Sequence, residues 1–277
     1  MRPESTVVAH DFLAMGTSCC LFAVDRPVSR LRAGELWVRR LAARLTRFSA
    51  DSELSRLNAA AGEWMPISAD FEAALRAALR ASEMSAGLVN AGVLPALLAA
   101  GYTRSLADGP PSAALMQGQP PARLPEVLDV GRRRARVRPG AGIDLGGIAK
   151  GWMADRLCEL IGPNAVVNLG GDLRAVGGGP RGQGWPVRMG DVTLMLRGHG
   201  AATSSVRRRR WAGGHHLIDP RTGLPAETGL EEVSVVAAGG FEAEVVAKTA
   251  LLLGPNLAPA YCAAHAMAWW LDGRHDG

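Results

Sequence analysis

The segment 144–151, DLGGIAKG, combines residue types that suit the binding of a phosphate. Two glycines precede a helical stretch, and the backbone N–H groups at the start of a helix carry partial positive charge. The ammonium of Lys150 can add a point charge to the same anion, and Asp144 can accept hydrogen bonds from a ligand. The spacing is not that of a Walker loop, which has another glycine pattern and a Ser or Thr after the lysine. The segment therefore predicts an anion site or a plain strand-to-helix turn.

A histidine and a carboxylate stand close together in the segment 215–225, HHLIDPRTGLP. Its Asp-Pro and Thr-Gly pairs predict a rigid turn, with His216 projecting from the end of the preceding strand. There His216 can act as a general base that Asp219 orients, although a structural turn with an exposed histidine has the same residues. The segment 168–172, NLGGD, predicts a second turn, in which we expect Asp172 to hydrogen-bond its own backbone.

Glu244 and Lys248 lie one helical turn apart in a segment of helical character. Such an i,i+4 pair is ordinarily a surface ion pair. Lysine is rare in this chain, because 29 of the 31 basic residues are arginine and only Lys150 and Lys248 are lysine. The two lysines are therefore candidates for a role that arginine does not fill.

The composition is that of a globular protein, with 48% hydrophobic and 21% charged residues among 277. No apolar run approaches the roughly 20 residues that span a bilayer, and the first residues, MRPES, lack the apolar stretch of a secretory signal. We therefore expect a cytoplasmic protein. The four cysteines have no metal-ligand spacing and are expected to be reduced thiols. The net charge of +5 permits an anionic partner.

Helical and strand patterns follow each other irregularly, which predicts an α+β fold of mixed or antiparallel sheets with packed helices. β-type residues at 7–24 surround a central MGT turn. A helix follows, with apolar residues up to Phe48 on one face and arginines, Arg47 among them, on the outer face. Ser68 is a good N-cap for a helix over 69–84.

The second half of the chain is rich in predicted strands. These strands are expected at 166–176, 186–189, 192–196, 216–218, 233–237 and 266–271. Helices predicted at 148–161 and 241–253 interrupt them. A loop rich in Pro and Gly at about 108–125 is expected to be a variable surface connection.

The order of these motifs resembles that of the FAD:protein FMN transferase (ApbE) family. The motifs that carry the resemblance are MGT at 15–17, SELSRLN at 52–58, DLGGIAKG at 144–151, VNLGGD at 167–172, TS at 203–204, HLIDPRTGLP at 216–225 and the helix at 243–254. The resemblance covers about residues 12–254, and its most distinctive parts begin at Asp144 and at His216. It implies a single domain over residues 1–277.

The resemblance implies two lobes with FAD in a cleft between them. It also implies an enzyme that cleaves the FAD pyrophosphate, releases AMP and joins FMN through a phosphoester to a serine or threonine of an acceptor protein. The matching positions assign FAD contacts to Met15, Asn90, Asp144, Lys150, Thr203 and Lys248. They assign the reaction centre to Lys150, His216 and Asp219, with Thr203 beside them. The carbonyl of Gly147 and the carboxylate of Glu244 would hold a magnesium ion.

The sequence departs from the family pattern at the helix that holds magnesium. The family has Asp and, four residues on, Thr as ligands there, whereas this chain has Glu244 and Lys248. An ammonium cannot bind Mg²⁺ and repels it. Three explanations are open. Lys248 replaces the metal's charge at the pyrophosphate, or it forms an ion pair with Glu244 in a degenerate site. In the third, Lys248 turns aside while Glu244, Gly147 and substrate phosphates bind Mg²⁺. Asn90 also replaces the usual aspartate, and Ser205 the usual glycine.

Two other functions are compatible with the same motifs: a non-catalytic flavin-binding protein and an FAD pyrophosphatase with water as the acceptor. The first binds FAD without releasing AMP, and the second turns over without a protein partner. The basic run at 207–210 is expected to be a solvated hairpin tip, because one such run is a weak sign of nucleic-acid binding. We therefore expect FAD and an acceptor protein as partners, and no nucleic acid.

Overall fold

The computed structural model describes residues 6–109, 118–211 and 214–275. By their contacts these residues form two compact units. The first unit draws on Met1–Arg40, Ala149–Ser204 and Glu232–Gly277, and the second unit on Leu41–Ile148 and Ser205–Glu231. No helix among the described residues has the length and the apolar character that crossing a membrane requires.

Helices and strands follow each other without a regular βαβ repeat, which confirms the predicted α+β class. The described helices are α1 Val28–Leu45, α2 Glu53–Ala59, α3 Ala69–Met84, α4 Leu94–Ala99, α5 Leu124–Val127, α6 Ala149–Ile161, α7 Gly240–Leu253 and α8 Ala258–His265. The described strands are β1 Val7–Ala14, β2 Thr17–Val24, β3 Met65–Pro66, β4 Leu128–Gly131, β5 Arg134–Val137, β6 Ala165–Leu169, β7 Asp172–Val176, β8 Trp185–Met189, β9 Val192–Leu196, β10 His199–Ser205, β11 Arg210–Trp211, β12 Gly214–His215, β13 Ile218–Asp219, β14 Leu224–Pro225, β15 Glu232–Ala237, β16 Ala268–Leu271 and β17 Arg274–His275.

The first unit is built on a sheet that has, among the described residues, eight strands in the order β1-β2-β6-β7-β10-β15-β16-β17. Its first hairpin turns at Met15 and Gly16, whose φ values are 54° and 70°. Two positive φ values in a two-residue turn between Ala14 and Thr17 match the hairpin turns whose twist follows that of the strands. The predicted strand-turn-strand unit at 7–24 is confirmed.

The hairpin of β8 and β9 packs on this sheet. Its residues Trp185, Met189 and Leu196 share a buried cluster with Val166 of β6 and Trp270 of β16. Along β8, buried residues of the cluster alternate with more exposed residues, as expected because successive side chains of a strand point to opposite faces. The predicted strands at 186–189, 192–196 and 266–271 are present as β8, β9 and β16, and each contributes buried residues to this cluster.

Helices α6 and α7 pack against each other and against strands of the same sheet. They approach each other closely at Gly151, where an added Cβ would lie 2.3 Å from the carbonyl oxygen of Gly240. Asp155 of α6 accepts hydrogen bonds from the N–H groups of Gly240 and Phe241, at 2.8 and 2.9 Å, and so caps the start of α7. These contacts fix two helices that carry candidate site residues.

The second unit contains a three-stranded sheet, β3-β5-β4 among the described residues, and the short helices around it. Ser68 caps α3 as predicted, since its hydroxyl accepts from the N–H of Phe71 at 3.2 Å. The ring of Phe71 is fully buried. Another buried cluster of this unit contains Tyr102, Trp211 and Ile218.

Some predicted elements differ from the structure. The predicted strand at 166–176 is two strands, because Gly170 and Gly171 have φ values of 73° and 101° and turn the chain, which confirms the turn predicted at 168–172. Phe48 does not belong to the buried face of α1, since the helix ends at Leu45 and Phe48 is 43% exposed. Of the predicted loop at 108–125, residues 110–117 lie outside the described residues. The single family domain and the flavin cleft between two lobes stay predictions.

Candidate functional site

Lys150 and two buried carboxylates form a charged cluster in the first unit. Lys150 lies in the first turn of α6, and its ammonium donates to the carboxylate of Asp172. Glu244 of α7 accepts from the N–H of Gly151 at 2.9 Å through one oxygen, and its other oxygen is 3.9 Å from the Lys150 nitrogen. Asp172 and Glu244 are 2% and 3% exposed, so the ammonium compensates charges that are buried.

The expectation that Asp172 bonds its own backbone is wrong. The side chain of Asn168 closes the turn instead, by accepting from the N–H of Gly171 at 2.9 Å. Asp172 follows at the start of β7, where its carboxylate is buried and meets Lys150. A buried carboxylate needs an opposite charge, and only the packing of α6 on the sheet brings one to it.

Glu244 is poorly suited to hold a magnesium ion in this arrangement. One of its oxygens is used by the N–H of Gly151, and the other faces the ammonium of Lys150. Lys248, one turn further along α7, is half-buried, and Thr249 beside it donates to the carbonyl of Val245 at 2.8 Å. The described residues contain no group of three His, Cys, Asp or Glu that could bind a metal ion. Magnesium binding by Gly147 and Glu244 stays a prediction.

Met15 and Thr203 also belong to the first unit. Met15 is half-buried in the β1–β2 turn, with a positive φ that is uncommon for a residue with a side chain. Thr203 lies on β10, and its hydroxyl oxygen is 2.8 Å from that of Ser234 on β15. No sequence motif indicated Ser234, because only strand pairing brings it beside Thr203. Contacts of Met15 and Thr203 with FAD stay predictions.

Asp144 is held by an arginine of the second unit. One carboxylate oxygen accepts from the N–H of Gly146 at 2.8 Å, and the other is 2.9 Å from the Nε of Arg47. The Arg47 guanidinium lies 4.2 and 4.5 Å from the ring centroids of Phe48 and Tyr102. Its side chain is only 5% exposed. The expectation of Arg47 on the solvated face is wrong, because it follows the last turn of α1 and pairs with Asp144.

The His216 segment contains two short strands instead of the predicted one at 216–218, and His216 lies half-buried between β12 and β13. The carboxylate of Asp219 accepts from the N–H of Arg221 at 2.9 Å and from its guanidinium at 2.7 Å. Asp219 is therefore engaged by its own turn. Its role in orienting His216 stays a prediction, as do the catalytic roles of both residues.

The neighbouring His215 has a structural role that the sequence did not reveal. Its Nε2 is 3.0 Å from the carbonyl oxygen of Ala226, and its Nδ1 accepts from the N–H of Leu217 at 3.2 Å. This pattern requires a neutral ring with the proton on Nε2. Burial lowers the pKa of His215 below its ordinary value, and the ring is only 6% exposed.

His215 is therefore expected to make the protein less stable in mild acid. The unfolded chain protonates this residue below its ordinary pKa of about 6.5, whereas the folded chain resists protonation until a lower pH. Stability should then fall as the pH decreases from 6.5 towards the lower folded-state pKa. Urea unfolding at several pH values should show a weaker acid dependence for His215→Gln than for the parent chain. Equal slopes would exclude this cause.

Asn90 uses its side-chain amide within the second unit. The oxygen accepts from the N–H of Gly92 at 2.8 Å, and the nitrogen donates to the carbonyl of Ala122 at 3.0 Å. The side chain thereby caps the 3₁₀ turn Ala91–Val93. An aspartate in this place could make the first bond but not the second. The contact of Asn90 with FAD stays a prediction.

We expect Asn90→Asp to destabilise the protein by about 1–3 kcal/mol, although aspartate is common at this place in the resembling family. The carboxylate would face the Ala122 carbonyl without a donor, and Asn90 is only 8% exposed. Urea unfolding at neutral pH measures the loss. Asn164→Asp serves as a comparison, because its nitrogen also donates to a carbonyl, that of Gly179. An unchanged free energy for Asn90→Asp would contradict the prediction.

Comparison with known proteins gives a consistent result. The model of the ApbE family matches residues 15–270 of this chain. A protein of Haemophilus influenzae named FAD:protein FMN transferase is 27% identical over 263 residues, which cover 84% of this chain and 75% of that protein. A protein of the same name from Treponema pallidum is 30% identical over 240 residues, which cover 74% of this chain and 66% of that protein.

The fold is also that of solved ApbE structures. The structure matches the ApbE protein of Thermotoga maritima with a TM-score of 0.82, over 97% of this chain and 96% of that one. The two sequences are 22% identical, so this likeness concerns the fold. The family model, by contrast, matches the sequence almost from end to end. This chain therefore belongs to the ApbE family.

Proposed function

We propose that this protein cleaves FAD, releases AMP and attaches FMN through a phosphoester to a serine or threonine of an acceptor protein. The observation that carries the proposal is membership in the ApbE family, because relatives of this chain in Haemophilus influenzae and Treponema pallidum are named FAD:protein FMN transferase. The segments that begin at Asp144 and His216 are both present. The acceptor is a separate protein, and the cytoplasmic location stays a prediction.

The reaction replaces the phosphoanhydride bond between the two halves of FAD with a phosphoester bond between FMN and the acceptor. The acceptor hydroxyl loses its proton to His216, and its oxygen forms a bond to the phosphorus of the FMN half. The bond between this phosphorus and the bridging oxygen breaks, and the bridging oxygen leaves with AMP. Negative charge spreads over the phosphoryl oxygens in such a transition state, so fixed cations and N–H donors accelerate it.

The residues of the 144–151 segment supply these groups in the proposal. The start of α6 carries the partial positive charge of a helix N-terminus, and Lys150 stands in its first turn. The N–H groups of Gly146 and Gly151 are engaged by Asp144 and Glu244. Asp144 is held by Arg47 and Gly146, so that it can accept hydrogen bonds from FAD in a fixed orientation. Met15 contacts the flavin in this proposal, with Asn90 and Thr203 lining the FAD site.

We assign to Lys248 the charge that magnesium has in the resembling family. Lys248 stands one turn after Glu244 on α7, and the carboxylate of Glu244 is engaged by Gly151 and faces Lys150. Two explanations compete with this assignment. In the first, Glu244 and Lys248 form an ion pair that has no role in the reaction. In the second, a magnesium ion is bound through Gly147 and Glu244. A magnesium ion, where bound, would neutralise charge on the pyrophosphate.

Removing the charge of Lys248 is expected to make the reaction dependent on magnesium. The parent chain should keep most of its rate in chelator, whereas Lys248→Thr in chelator should be about 10²-fold slower, since one stabilising group is lost. Added Mg²⁺ should restore Lys248→Thr, and Lys248→Arg is the control that keeps the charge. Calorimetric titration with magnesium, without FAD, measures separately whether the parent chain and Lys248→Thr bind the ion. A parent chain that is inactive in chelator and fully restored by Mg²⁺ would refute the role of Lys248.

Intact-mass spectrometry tests the proposed function directly. A candidate acceptor protein is incubated with this protein and FAD, and AMP is measured in the same sample. A mass increment equal to FMN, with an equal amount of AMP, supports the transferase. AMP and FMN without the increment indicate an FAD pyrophosphatase. Bound FAD without either product indicates a non-catalytic flavin-binding protein, and either result overturns the proposal.

A further inference from the structure

The ammonium of Lys150 is held at one place by groups on two different elements of the first unit. Its side chain is 16% exposed, and the side chains of Asp172 and Glu244 are 3% and 5% exposed. A lysine stem has four rotatable carbons and samples many positions when it is in solvent. Here the buried carboxylates restrict that freedom.

The two carboxylates have different tasks. Asp172 contacts the ammonium directly, whereas the nearest oxygen of Glu244 is 3.9 Å away. The other oxygen of Glu244 binds the N–H of Gly151 and so holds the start of α6 against α7. Glu244 therefore fixes the helix, and Asp172 fixes the charged end of the side chain.

The turn before Asp172 is built to keep this carboxylate in place. Asn168 accepts from the N–H of Gly171, and Asp172 is paired with Leu169 across the β6–β7 hairpin. At Gly170, an added Cβ would lie 2.4 Å from the hydroxyl oxygen of Thr17, so the turn packs tightly on β2. The carboxylate is thus anchored to the sheet, independently of the helix that carries Lys150.

We propose that Asp172 is a positioning residue that holds the Lys150 ammonium where it acts on the phosphoryl group; this role rests on the transfer reaction proposed above. Without Asp172, the ammonium loses its direct carboxylate partner on the sheet and moves away from the sheet. A displaced cation stabilises the transition state less. A misplacement of about 1 Å can slow a reaction by about 10²-fold, whereas FAD binding depends on many other contacts.

Steady-state kinetics of Asp172→Asn tests this role. We expect kcat to fall by about 10- to 100-fold while KM for FAD changes less than about threefold. The effect should vanish in the Lys150→Met background, because Asp172 acts through Lys150. Asp25→Asn is the matched control, since it removes a carboxylate of the same unit that accepts from the N–H of Thr6, at the other end of β2 from the turn that holds Asp172. It should leave kcat within about threefold of the parent value.

The double variant keeps the test valid if Lys150→Met does not fold. Lys150→Met with Asp172→Asn removes both charges of the pair and leaves no buried carboxylate at position 172 without a partner. The kcat of this double variant should equal that of Lys150→Met. Where Lys150→Met is unfolded, it should be no lower than the kcat of a second double variant, Lys150→Met with Asp172→Leu. A parent-like kcat for Asp172→Asn, or losses that add fully in the double variant, would overturn the proposal.

Nuclear magnetic resonance measures the position of the ammonium without FAD or an acceptor. Lys150 and Lys248 are the two lysines of the sequence, so a lysine-labelled sample gives two side-chain signals, which Lys248→Arg assigns. In Asp172→Asn, the Lys150 signal should move towards that of a solvated lysine, and in Asp25→Asn it should stay in place. An unmoved signal in Asp172→Asn would overturn the proposal. If the parent chain transfers no FMN, the transferase function fails while this measurement still decides what holds Lys150.

Discussion

Replacing His216 with alanine is expected to slow FMN transfer by about 10²- to 10⁴-fold, the usual contribution of a general base. His216 is half-buried between β12 and β13, and the reaction needs a group that takes the proton of the acceptor hydroxyl. Binding of FAD does not need this proton transfer. We therefore expect the loss in kcat, measured by the release of AMP with an acceptor present, and little change in the dissociation constant of FAD.

The control for this prediction is His199→Ala. His199 is also half-buried, and it lies on β10, away from the His216 segment in the sequence. Its removal should leave kcat within about threefold of the parent value, because surface and partly buried sites without a special role usually contribute little. A His216→Ala variant that keeps the parent rate would exclude His216 as the base and leave the transfer to another group.

Replacing Gly151 with alanine is expected to destabilise the protein by about 3 kcal/mol, although alanine favours a helix more than glycine by about 1 kcal/mol. The added Cβ would lie 2.3 Å from the carbonyl oxygen of Gly240 and 3.0 Å from the Cβ of Glu244. Both obstacles are close to the backbone of α7, so the helices must separate. For a chain of this size the melting temperature should fall by about 6–12 °C.

Gly34→Ala is the matched control for this change. Gly34 is also a helical glycine of the first unit, on α1, but the nearest atoms to its added Cβ are terminal methyl groups, those of Leu157, Leu21 and Ile161 at 3.1, 3.3 and 3.9 Å. Such side chains can move by a few tenths of an ångström. We expect a change within about 1 kcal/mol, since the helical preference of alanine offsets the contact. A Gly151→Ala variant more stable than the parent would show that α6 and α7 separate at little cost.

Local patterns predicted most of the elements correctly. The hairpin at 7–24 and helix α3 were predicted, because turn glycines, a serine cap and apolar periodicity act over a few neighbouring residues. The wrong predictions arise from the same local range of these patterns. Phe48 continued the apolar period of α1 but lies beyond its end, and two glycines divided a strand that its composition predicted as continuous.

The sequence predicted which residues belong to the candidate site, but it predicted few of the contacts between them. The segments that carry Asp144, Lys150 and His216 were recognised from their motifs. The partners of these residues were not, because a side chain such as that of Arg47 or Asp172 looks ordinary until its neighbours are known. Arginines are so frequent in this chain that the sequence does not single out Arg47, whose guanidinium lies 4.2 and 4.5 Å from two ring centroids.

The sequence by itself determined the order of the elements, the α+β class and the family motifs, because caps, turns and periodicity are properties of adjacent residues. Only the tertiary structure decided which charges meet. Lys150 reaches Asp172 across 22 positions, and Glu244 reaches Gly151 across 93. The physical reason is burial: a charge removed from water must find an opposite charge or a donor, and the packing of helices on the sheet determines which one is near.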